Sequence, residues 1–360
     1  MYLDYAASTP LSTEVKNKLM ELVDVYGNPS SIHDEGVKAH KVIEEATEII
    51  ANHFSCNKTE IHYTSGATMS NNLAIQGFLK ANPNGRIVIS EIEHNDIMLL
   101  CKSLKDKVNY VSVNSLGIIN TSELKLYLDK YKNIPVLCSI QSANGEIGTI
   151  QNIKEISEII HSYPDSYFHT DATQYVPYFK MDLSSLNIDV MSFSGQKIRC
   201  IKGIGVLYVK DGTPISPIIY GEQGLIGGTE NVIGIGCLGE AIKNLHSDHI
   251  LLKEKREYLL NKLSGLGRLV GSEYRVPNNI CFCFDAIPSD VMVMALNEHD
   301  IYVSAGSACS SKSGEVSHVL KAIGLYDDAE NCIRITFNED QELDSLISEI
   351  VGIRRMLCLE

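Results

Sequence analysis

A lysine and an aspartate in this chain could together supply the chemistry of one class of cofactor. Lys197 lies in the segment SFSGQKIRC, and Asp171 lies in the segment FHTDATQ. Each follows an apolar, β-prone stretch, which predicts a strand that ends near the polar residue. A lysine amine can form an imine, and a carboxylate can pair with a protonated ring nitrogen. Either residue alone is more often a solvated surface charge, so the interpretation needs a third feature.

The third feature is the segment TSGATMSNN, residues 64–72. Its small residues let backbone N–H groups approach an anion, and Ser65 and Thr68 add hydroxyl donors. The apolar residues that follow predict a helix whose positive N-terminal end faces the anion. A phosphate site, an imine-forming lysine and a carboxylate for a ring nitrogen together predict pyridoxal phosphate as the cofactor.

Signature segments over nearly the whole chain resemble those of the cysteine desulfurases, a class-V aminotransferase-like branch of the fold-type I pyridoxal phosphate enzymes. Seven segments occur in that family's order: YLDYAASTP (2–10), GNPSSIH (27–33), EIEHND (91–96), FHTDATQ (168–174), GGTENV (227–232), SAGSACSS (304–311) and IRITF (333–337). The resemblance implies an enzyme that converts L-cysteine to L-alanine and keeps the sulfur as a persulfide. It further implies a sulfur-acceptor protein and a role in iron–sulfur cluster or thio-cofactor biosynthesis.

The resemblance also implies roles for the residues around the cofactor. Lys197 would hold the cofactor as an imine and then move the substrate's α-proton as an amine. Asp171 would face the ring nitrogen, and Gln174 would hydrogen-bond the ring's 3-oxygen. His94 would lie over the ring and exchange protons with the imine. The other residues expected at the cofactor are Ala67, Thr68, Ser194 and Gln196.

Three more residues receive roles from the resemblance. Cys309 would attack the substrate sulfur, and the small, polar residues around it predict a mobile, exposed loop that suits a travelling thiol. Arg334 would bind the substrate carboxylate through its forked guanidinium. Thr229 would reach the phosphate of a neighbouring subunit, which implies a homodimer. We expect no metal site.

Several positions depart from the family's pattern. Gln196 stands before the lysine where the family has histidine, and Met69 replaces a glutamate in the phosphate segment. Gly145 occupies the place of an asparagine that touches cofactor and substrate, so Arg334 is left as the main carboxylate ligand unless neighbouring Asn144 substitutes. Ile226 aligns with an arginine. These departures predict a changed substrate or a lower rate.

Two other functions remain open on these residues. One is an enzyme of the same fold that acts on another amino acid, such as selenocysteine, or that transfers amino groups; transamination needs no mobile thiol. The other is an assembly subunit with weakened catalysis, which Gly145, Gln196 and Ile226 favour. The joint retention of the lysine, aspartate, histidine, cysteine and arginine argues against this second alternative.

The composition favours small-molecule chemistry. The 360 residues suffice for two domains with a large core, and a net charge of −14 without a sustained Lys/Arg cluster argues against nucleic-acid binding. We find no apolar run of membrane-spanning length and no signal-peptide pattern, so we expect a cytoplasmic protein without membrane contact. Most of the ten cysteines should be buried apolar side chains, including Cys281 and Cys283 on one strand.

The order of predicted elements favours an α/β fold. Periodicity predicts helices near 14–23 and 36–54, and β-branched runs predict strands near residues 88, 110, 137, 169, 191 and 206. Such alternation implies a mostly parallel sheet covered by helices on both faces, with ligands at the strand ends. The resemblance implies that this sheet has seven strands.

A change of pattern near Asn244 predicts a second domain. A strongly charged helical stretch follows that residue, and mixed helices and strands then continue to the end of the chain. We predict a large pyridoxal-phosphate-binding domain at 13–244. Residues 1–12 and 245–360 would form a smaller α+β domain that carries the Cys309 loop.

Overall fold

The computed structural model describes residues 1–221, 224–306 and 317–357. Its strands are β1 (Ile61–Thr64), β2 (Arg86–Ser90), β3 (Val108–Val111), β4 (Val136–Ser139), β5 (Ser166–Asp171), β6 (Val190–Ser194), β7 (Gly205–Val209), β8 (Gly267–Val270), β9 (Asn279–Phe284) and β10 (Cys332–Thr336). Its α-helices are α1 (Thr13–Leu22), α2 (Asp34–Phe54), α3 (Ala67–Ala81), α4 (Asn95–Leu104), α5 (Thr121–Lys130), α6 (Ile153–His161), α7 (Leu183–Leu186), α8 (Val232–Lys243), α9 (His249–Lys262), α10 (Ser289–Glu298), α11 (His318–Ala322) and α12 (Asp344–Met356).

Seven strands form the main sheet in the order β1-β7-β6-β5-β4-β2-β3. Strand β7 runs antiparallel to both of its neighbours, and the other neighbouring pairs are parallel. The predicted α/β fold with a mostly parallel seven-stranded sheet is therefore confirmed, and all six predicted strands are present. The sequence reading did not predict β1, because its four residues IHYT form neither an apolar run nor a clear alternation.

The central strands are buried on both faces. Every residue of β4, β6 and β7 is buried, as expected for strands that are covered by helices on both sides. Phe54 at the end of α2 and Phe193 of β6 are fully enclosed, with ring centroids 5.3 Å apart. This packing fixes the strands relative to one another, so their carboxyl ends form a rigid edge.

A second, antiparallel sheet has the order β10-β9-β8, with α10 and α12 packed together beside it. Leu3 is fully buried among the apolar residues of this sheet and its helices. The N-terminal segment reaches this position by backbone hydrogen bonds with Tyr302 and Thr336. This contact supports the grouping of 1–12 with the C-terminal part, while the boundaries of the two predicted domains stay predictions.

Buried thiols form part of the core, as predicted. The eight cysteines that the structure describes are unpaired, and all of them except Cys56 are buried. Cys281 and Cys283 lie on β9 in the same apolar cluster as Cys332 of β10. Cys283 and Cys332 are direct cross-strand partners in the ladder. The pair on β9 therefore contributes apolar packing, which agrees with the sequence analysis.

Among the described residues, no group of three or more His, Cys, Asp or Glu side chains is arranged to hold a metal ion. None of the helices within 1–221, 224–306 and 317–357 combines the length and the apolar character that crossing a bilayer requires.

Two glycines let helix α8 approach its neighbours closely. A Cβ added at Gly239 would lie 2.7 Å from the Cβ of Ala46 on α2, and one at Gly236 would lie 2.4 Å from a methyl group of Leu22 on α1. By contrast, a Cβ added at Gly352 of α12 would meet no atom of the described residues within 4 Å. The small residues on α8 thus set how tightly the helical layer covers the sheet.

We predict opposite effects of alanine at these two kinds of position. Overpacking costs about 1–3 kcal/mol, more than the roughly 1 kcal/mol that alanine gains over glycine in helix propensity. Gly239→Ala should therefore lower the free energy of unfolding, and Gly352→Ala should raise it slightly. Urea unfolding followed by circular dichroism measures both. Equal midpoints for the two variants would contradict the packing argument.

Candidate active site

A cavity of about 410 Å³ opens where the carboxyl ends of the parallel strands meet. Asp171 is the last residue of β5, and Ser194 is the last residue of β6. In open α/β sheets this edge is where ligands bind. The predicted site residues that line the cavity are Ala67, Thr68, His94, Asn144, Asp171, Gln174, Ser194, Gln196, Lys197 and Arg334.

Two predicted site residues are not among those that line the cavity. Thr229 is exposed to solvent in this chain. Cys309 lies outside the described residues, between Gly306 and Ser317. The expected contact of Thr229 with a phosphate and the expected attack by Cys309 therefore stay predictions.

The Asp171 carboxylate is buried at the inner end of the cavity. It accepts hydrogen bonds from the side-chain amide of Asn71 at 2.8 Å and from the backbone N–H of Thr173 at 2.9 Å. Burial, together with the negative charge of Asp96, raises the pKa of Asp171. No ion pair within the described ranges neutralises this carboxylate. A protonated ring nitrogen beside it would supply the missing positive charge.

Lys197 follows β6 directly and projects into the same cavity. Its Nζ donates a hydrogen bond to the backbone carbonyl of Ala7. The N-terminal segment is held in place here, because the backbone N–H and the hydroxyl of Thr9 both donate to the carbonyl of Gln196. The segment YLDYAASTP (2–10) thus forms a wall beside the lysine.

The N-terminal end of α3 forms the predicted anion cradle. Its N-cap Gly66 has φ +146, and a Cβ added there would approach the hydroxyl oxygen of Ser194 at 3.6 Å. A Cβ added at Gly205 of β7 would lie 2.6 Å from the Cα of Gly66, so the turn sits directly on the sheet. The backbone N–H and the hydroxyl of Ser65 donate to the thioether of Met69, which is a weak acceptor. These donors are therefore suited to a phosphate.

Arg334 is buried on β10 at the outer side of the cavity. Its Nη2 donates to the Asp4 carboxylate at 2.6 Å, and its Nη1 donates to the carbonyl of Gly145 at 3.2 Å. Its buried Nε has no partner within the described ranges. The guanidinium is therefore held in one orientation by two fixed groups, which suits recognition of a carboxylate.

The space that Gly145 leaves is filled by Gln174. A Cβ at position 145 would lie 2.9 Å from the Nε2 of Gln174 and 3.1 Å from its Cδ and Cγ. Gln174 also donates to the carbonyl of Ala6 at 3.0 Å. The loss of the asparagine side chain at 145 is thus accommodated by the neighbouring glutamine.

Asn144 lines the cavity, but its side chain is already engaged in three hydrogen bonds. Its Oδ1 accepts from the backbone N–H groups of Glu146 and Ile147, each at 2.9 Å, and its Nδ2 donates to the carbonyl of Ile92 at 3.1 Å. The side chain therefore stabilises a turn. These contacts weigh against substrate binding by Asn144, which stays a prediction.

Two other departures from the family pattern share one environment. Met69 and Ile226 pack against the same apolar cluster, which includes Leu73 and Leu207. An acid and a base of the family pattern are thus replaced by two apolar side chains that contact a common surface. Because the acid and the base are both replaced, neither position leaves a charged side chain without its partner.

The sequence analysis missed four ionisable residues that line the cavity: Glu93, Asp96, Glu146 and His318. Burial raises the pKa of Glu93 to about 8, although its Oε1 accepts from the Ser90 hydroxyl. The Glu146 carboxyl accepts from the Ser317 hydroxyl at 2.7 Å, and burial raises its pKa. The sequence signal for Glu93 and Asp96 was their position beside His94 in the segment EIEHND.

The arrangement fits pyridoxal phosphate. The cavity combines an uncompensated buried carboxylate, an amine and an anion cradle, which match the ring nitrogen, the aldehyde and the phosphate of that cofactor. The buried hydroxyl of Thr173 and the Oδ1 of Asn71 also have no partner within the described ranges. The fold and this cavity define an α/β enzyme of the pyridoxal-phosphate-dependent class.

Comparison with known proteins gives the same assignment. The model of the family "Aminotransferase class-V" matches residues 1–345. A cysteine desulfurase IscS of Dictyoglomus turgidum is 38% identical over 357 residues, covering 93% of this chain and 89% of that protein. A NifS-like protein of Rickettsia africae has a TM-score of 0.90 at 29% identity, covering 99% of each chain. SspA, solved in complex with cysteine, has a TM-score of 0.84 at 32% identity, covering 95% of this chain and 99% of SspA.

The chain therefore belongs to the class-V aminotransferase family, within which its relatives include cysteine desulfurases. Members of this family depend on pyridoxal phosphate, so the predicted cofactor is confirmed. The predicted family resemblance is confirmed as well.

We predict that Lys197 carries the cofactor covalently. Reduction of the loaded protein with borohydride, followed by peptide mass spectrometry, should place the cofactor label on Lys197. Lys197→Ala should lose the label because no amine remains at that position. Lys202→Ala removes an exposed lysine from the same loop and should keep it. A label that persists in Lys197→Ala would show that another residue holds the cofactor.

Proposed function

We propose that the protein is a cysteine desulfurase that converts L-cysteine to L-alanine and transfers the sulfur to Cys309 as a persulfide. The observation that carries this proposal is the single cavity in which Lys197, Asp171, His94 and Arg334 meet. The names of its relatives support the reaction, because they include cysteine desulfurases at up to 38% identity. A related structure that contains cysteine supports the substrate.

Four residues that line the cavity would each have a role in this reaction. Bound pyridoxal phosphate supplies an electron sink for bonds at the substrate's α-carbon. Lys197 would hold the cofactor and then move a proton at the α-carbon, and Asp171 would keep the ring nitrogen charged. Arg334, fixed by Asp4, would bind the substrate carboxylate. His94 lies at the cavity and would exchange protons with the substrate's nitrogen.

The sulfur step conserves atoms and electrons without an added oxidant. The Cys309 thiolate would form a bond to the substrate sulfur while the bond between that sulfur and the β-carbon breaks. The electron pair of the broken bond stays on the carbon side, which takes up a proton and becomes alanine. The enzyme thiol becomes a persulfide, from which an acceptor protein would take the sulfur.

The described residues on both sides of Cys309 support its access to the cavity. Gly306 lies close to the Glu146 carboxyl, and the Ser317 hydroxyl donates to that same carboxyl. His318 lines the cavity directly. Cys309 follows Gly306 by three positions, and three residues span at most about 11 Å. A span of this length is compatible with the proposed attack of Cys309 on a substrate in the cavity.

A homodimer is part of the proposal. The stretch between α1 and α2 exposes apolar side chains, and Ile32 is 99% exposed. Exposed apolar surface of this kind marks contact sites. Thr229, which is exposed and does not line its own chain's cavity, would then contribute to the site of a second copy. The residues that carry the exposed surface are Met20, Val23, Tyr26, Ile32 and Val37.

The location and the pathway are proposed in outline. The described cysteines are free, which suits the reducing cytoplasm. The sulfur would serve iron–sulfur cluster or thio-cofactor biosynthesis, as the resemblance to the cysteine desulfurases implies. Its acceptor would be a protein that approaches the Cys309 segment.

We predict that incubation with L-cysteine under reducing conditions releases alanine and sulfide in equal amounts. Without reductant, mass spectrometry should find one added sulfur on the Cys309 peptide. Cys309→Ser should lower turnover by more than roughly 10²-fold, because the nucleophile is lost. Cys56→Ser, at a half-buried thiol, should leave turnover unchanged. Sulfur found only on other cysteines, or keto-acid formation in place of alanine, would refute the proposal.

We predict that Ile32→Glu dissociates the dimer. A charge in the centre of an apolar contact is desolvated without a partner, so association weakens. Sedimentation should show a dimer for the natural chain and a monomer for Ile32→Glu. Leu126→Glu changes an apolar residue that is 67% exposed on α5, outside the proposed contact, and should remain dimeric. A natural chain that sediments as a monomer would contradict the proposal.

A further inference from the structure

His94 and Asp96 form a close pair at the N-terminal end of α4. The Nδ1 of His94 lies 2.9 Å from the Oδ1 of Asp96. The same nitrogen lies 3.4 Å from the backbone N–H of Asp96. One ring nitrogen cannot donate and accept at once, and the shorter contact is to a carboxylate, which can only accept. The Nδ1 therefore carries a proton and donates it to Asp96.

The carboxylate is the fixed member of this pair. The backbone N–H of Ile97 donates to its Oδ1 at 2.7 Å, and the side-chain amide of Asn71 lies 3.4 Å from both oxygens. The Asp96 side chain is 8% exposed, whereas the His94 ring is 55% exposed and lines the cavity. The imidazole is thus anchored on one nitrogen and presented to the cavity.

We propose that Asp96 is a positioning residue that holds His94 protonated on Nδ1, so that Nε2 is the nitrogen left to exchange protons in the cavity. The inference deepens the proposed function and rests on it, since it assigns the state in which His94 serves the reaction. A carboxylate that fixes the tautomer and orientation of a working imidazole is a general device. Here the two residues are separated by one position in the sequence and meet across the first turn of a helix.

The charges around His94 decide whether its pKa is raised or lowered. The protein atoms that surround the cavity oppose a charge on the half-exposed ring, but the hydrogen bond and negative charge of Asp96, with the charge of Asp171, raise the pKa of His94. Burial also opposes the charge of Asp96, yet His94 lowers the pKa of this carboxyl. The titratable groups that face the pair are Glu93, His169, Asp171, Lys197 and His318. The pair therefore stays ionised above the pH at which an ordinary histidine loses its proton.

Asn71 connects the pair to the carboxylate of Asp171. The same amide that approaches Asp96 donates to the Oδ2 of Asp171 at 2.8 Å. The negative charge of Asp96 contributes to the raised pKa of Asp171. Loss of the Asp96 charge should therefore make His94 less basic and Asp171 more acidic at the same time. A residue that only stabilised the helix would not produce these two changes.

The test compares Asp96→Asn, which removes the charge but keeps an acceptor for Nδ1, with Asp96→Ala, which removes both. Nitrogen NMR of the ring, assigned with a His94→Gln variant, reports tautomer and titration in the protein with and without pyridoxal phosphate. We expect a lower His94 pKa in both variants. Loss of the Nδ1-protonated form should occur only in Asp96→Ala. Glu91→Gln, which removes a nearby carboxylate outside the pair, should change neither.

Kinetics give a second, independent measurement. In Asp96→Asn, the limb of the kcat profile that reports loss of the His94 proton should move to lower pH. Turnover at pH 8 should fall on the order of tenfold, with KM nearly unchanged. A uniform fall at every pH would overturn the inference, as would an unshifted His94 titration in the folded Asp96→Asn protein. If cysteine is not a substrate, the proposed function fails while the NMR result still decides the role of Asp96.

Discussion

The buried carboxylate of Asp171 is the constraint around which the site is organised. Its two hydrogen-bond donors do not replace a cation, so burial leaves its pKa raised until a positive group lies beside it. Asn71, one of those donors, stands on α3, and the first turn of α3 is the anion cradle. Ala67 and Asn71 are one helical turn apart, about 6 Å along the axis. One rigid helix therefore sets the spacing between the positive and negative ends of the cofactor.

Much of the large sheet could be predicted because its strands are short, β-branched and separated by amphipathic stretches. The strand ends also located Asp171 and Lys197 correctly at one edge, since parallel strands bring their carboxyl ends together. Strand β1 escaped prediction because its four residues, IHYT, form neither an apolar run nor a clear alternation. The boundaries of the two domains stay predictions.

The site was predictable in its reactive groups and less so in its supports. Lys197 and Asp171 have side chains whose chemistry is visible in the sequence, whereas Asp96 and Asn71 act through contacts that only folding creates. The departure at Gly145 was visible, but the presence of Gln174 in the vacated space was not. Whether a side chain fills the space left by a substitution depends on which residues are close in the folded structure, and sequence spacing does not show this.

The antiparallel direction of β7 has a consequence for the lysine. If β7 ran parallel to β6, the chain between them would have to cross over through the helical layer. Here β7 is antiparallel and Ser194 pairs with Gly205, so the short connection that carries Lys197 begins and ends at the same edge of the sheet. The backbone segment that carries Lys197 is therefore held at both ends by the pairing of β6 with β7. Motion of the amine is then limited to rotation about its own side-chain bonds. In the proposed reaction, an amine tethered in this way would act at a high effective molarity.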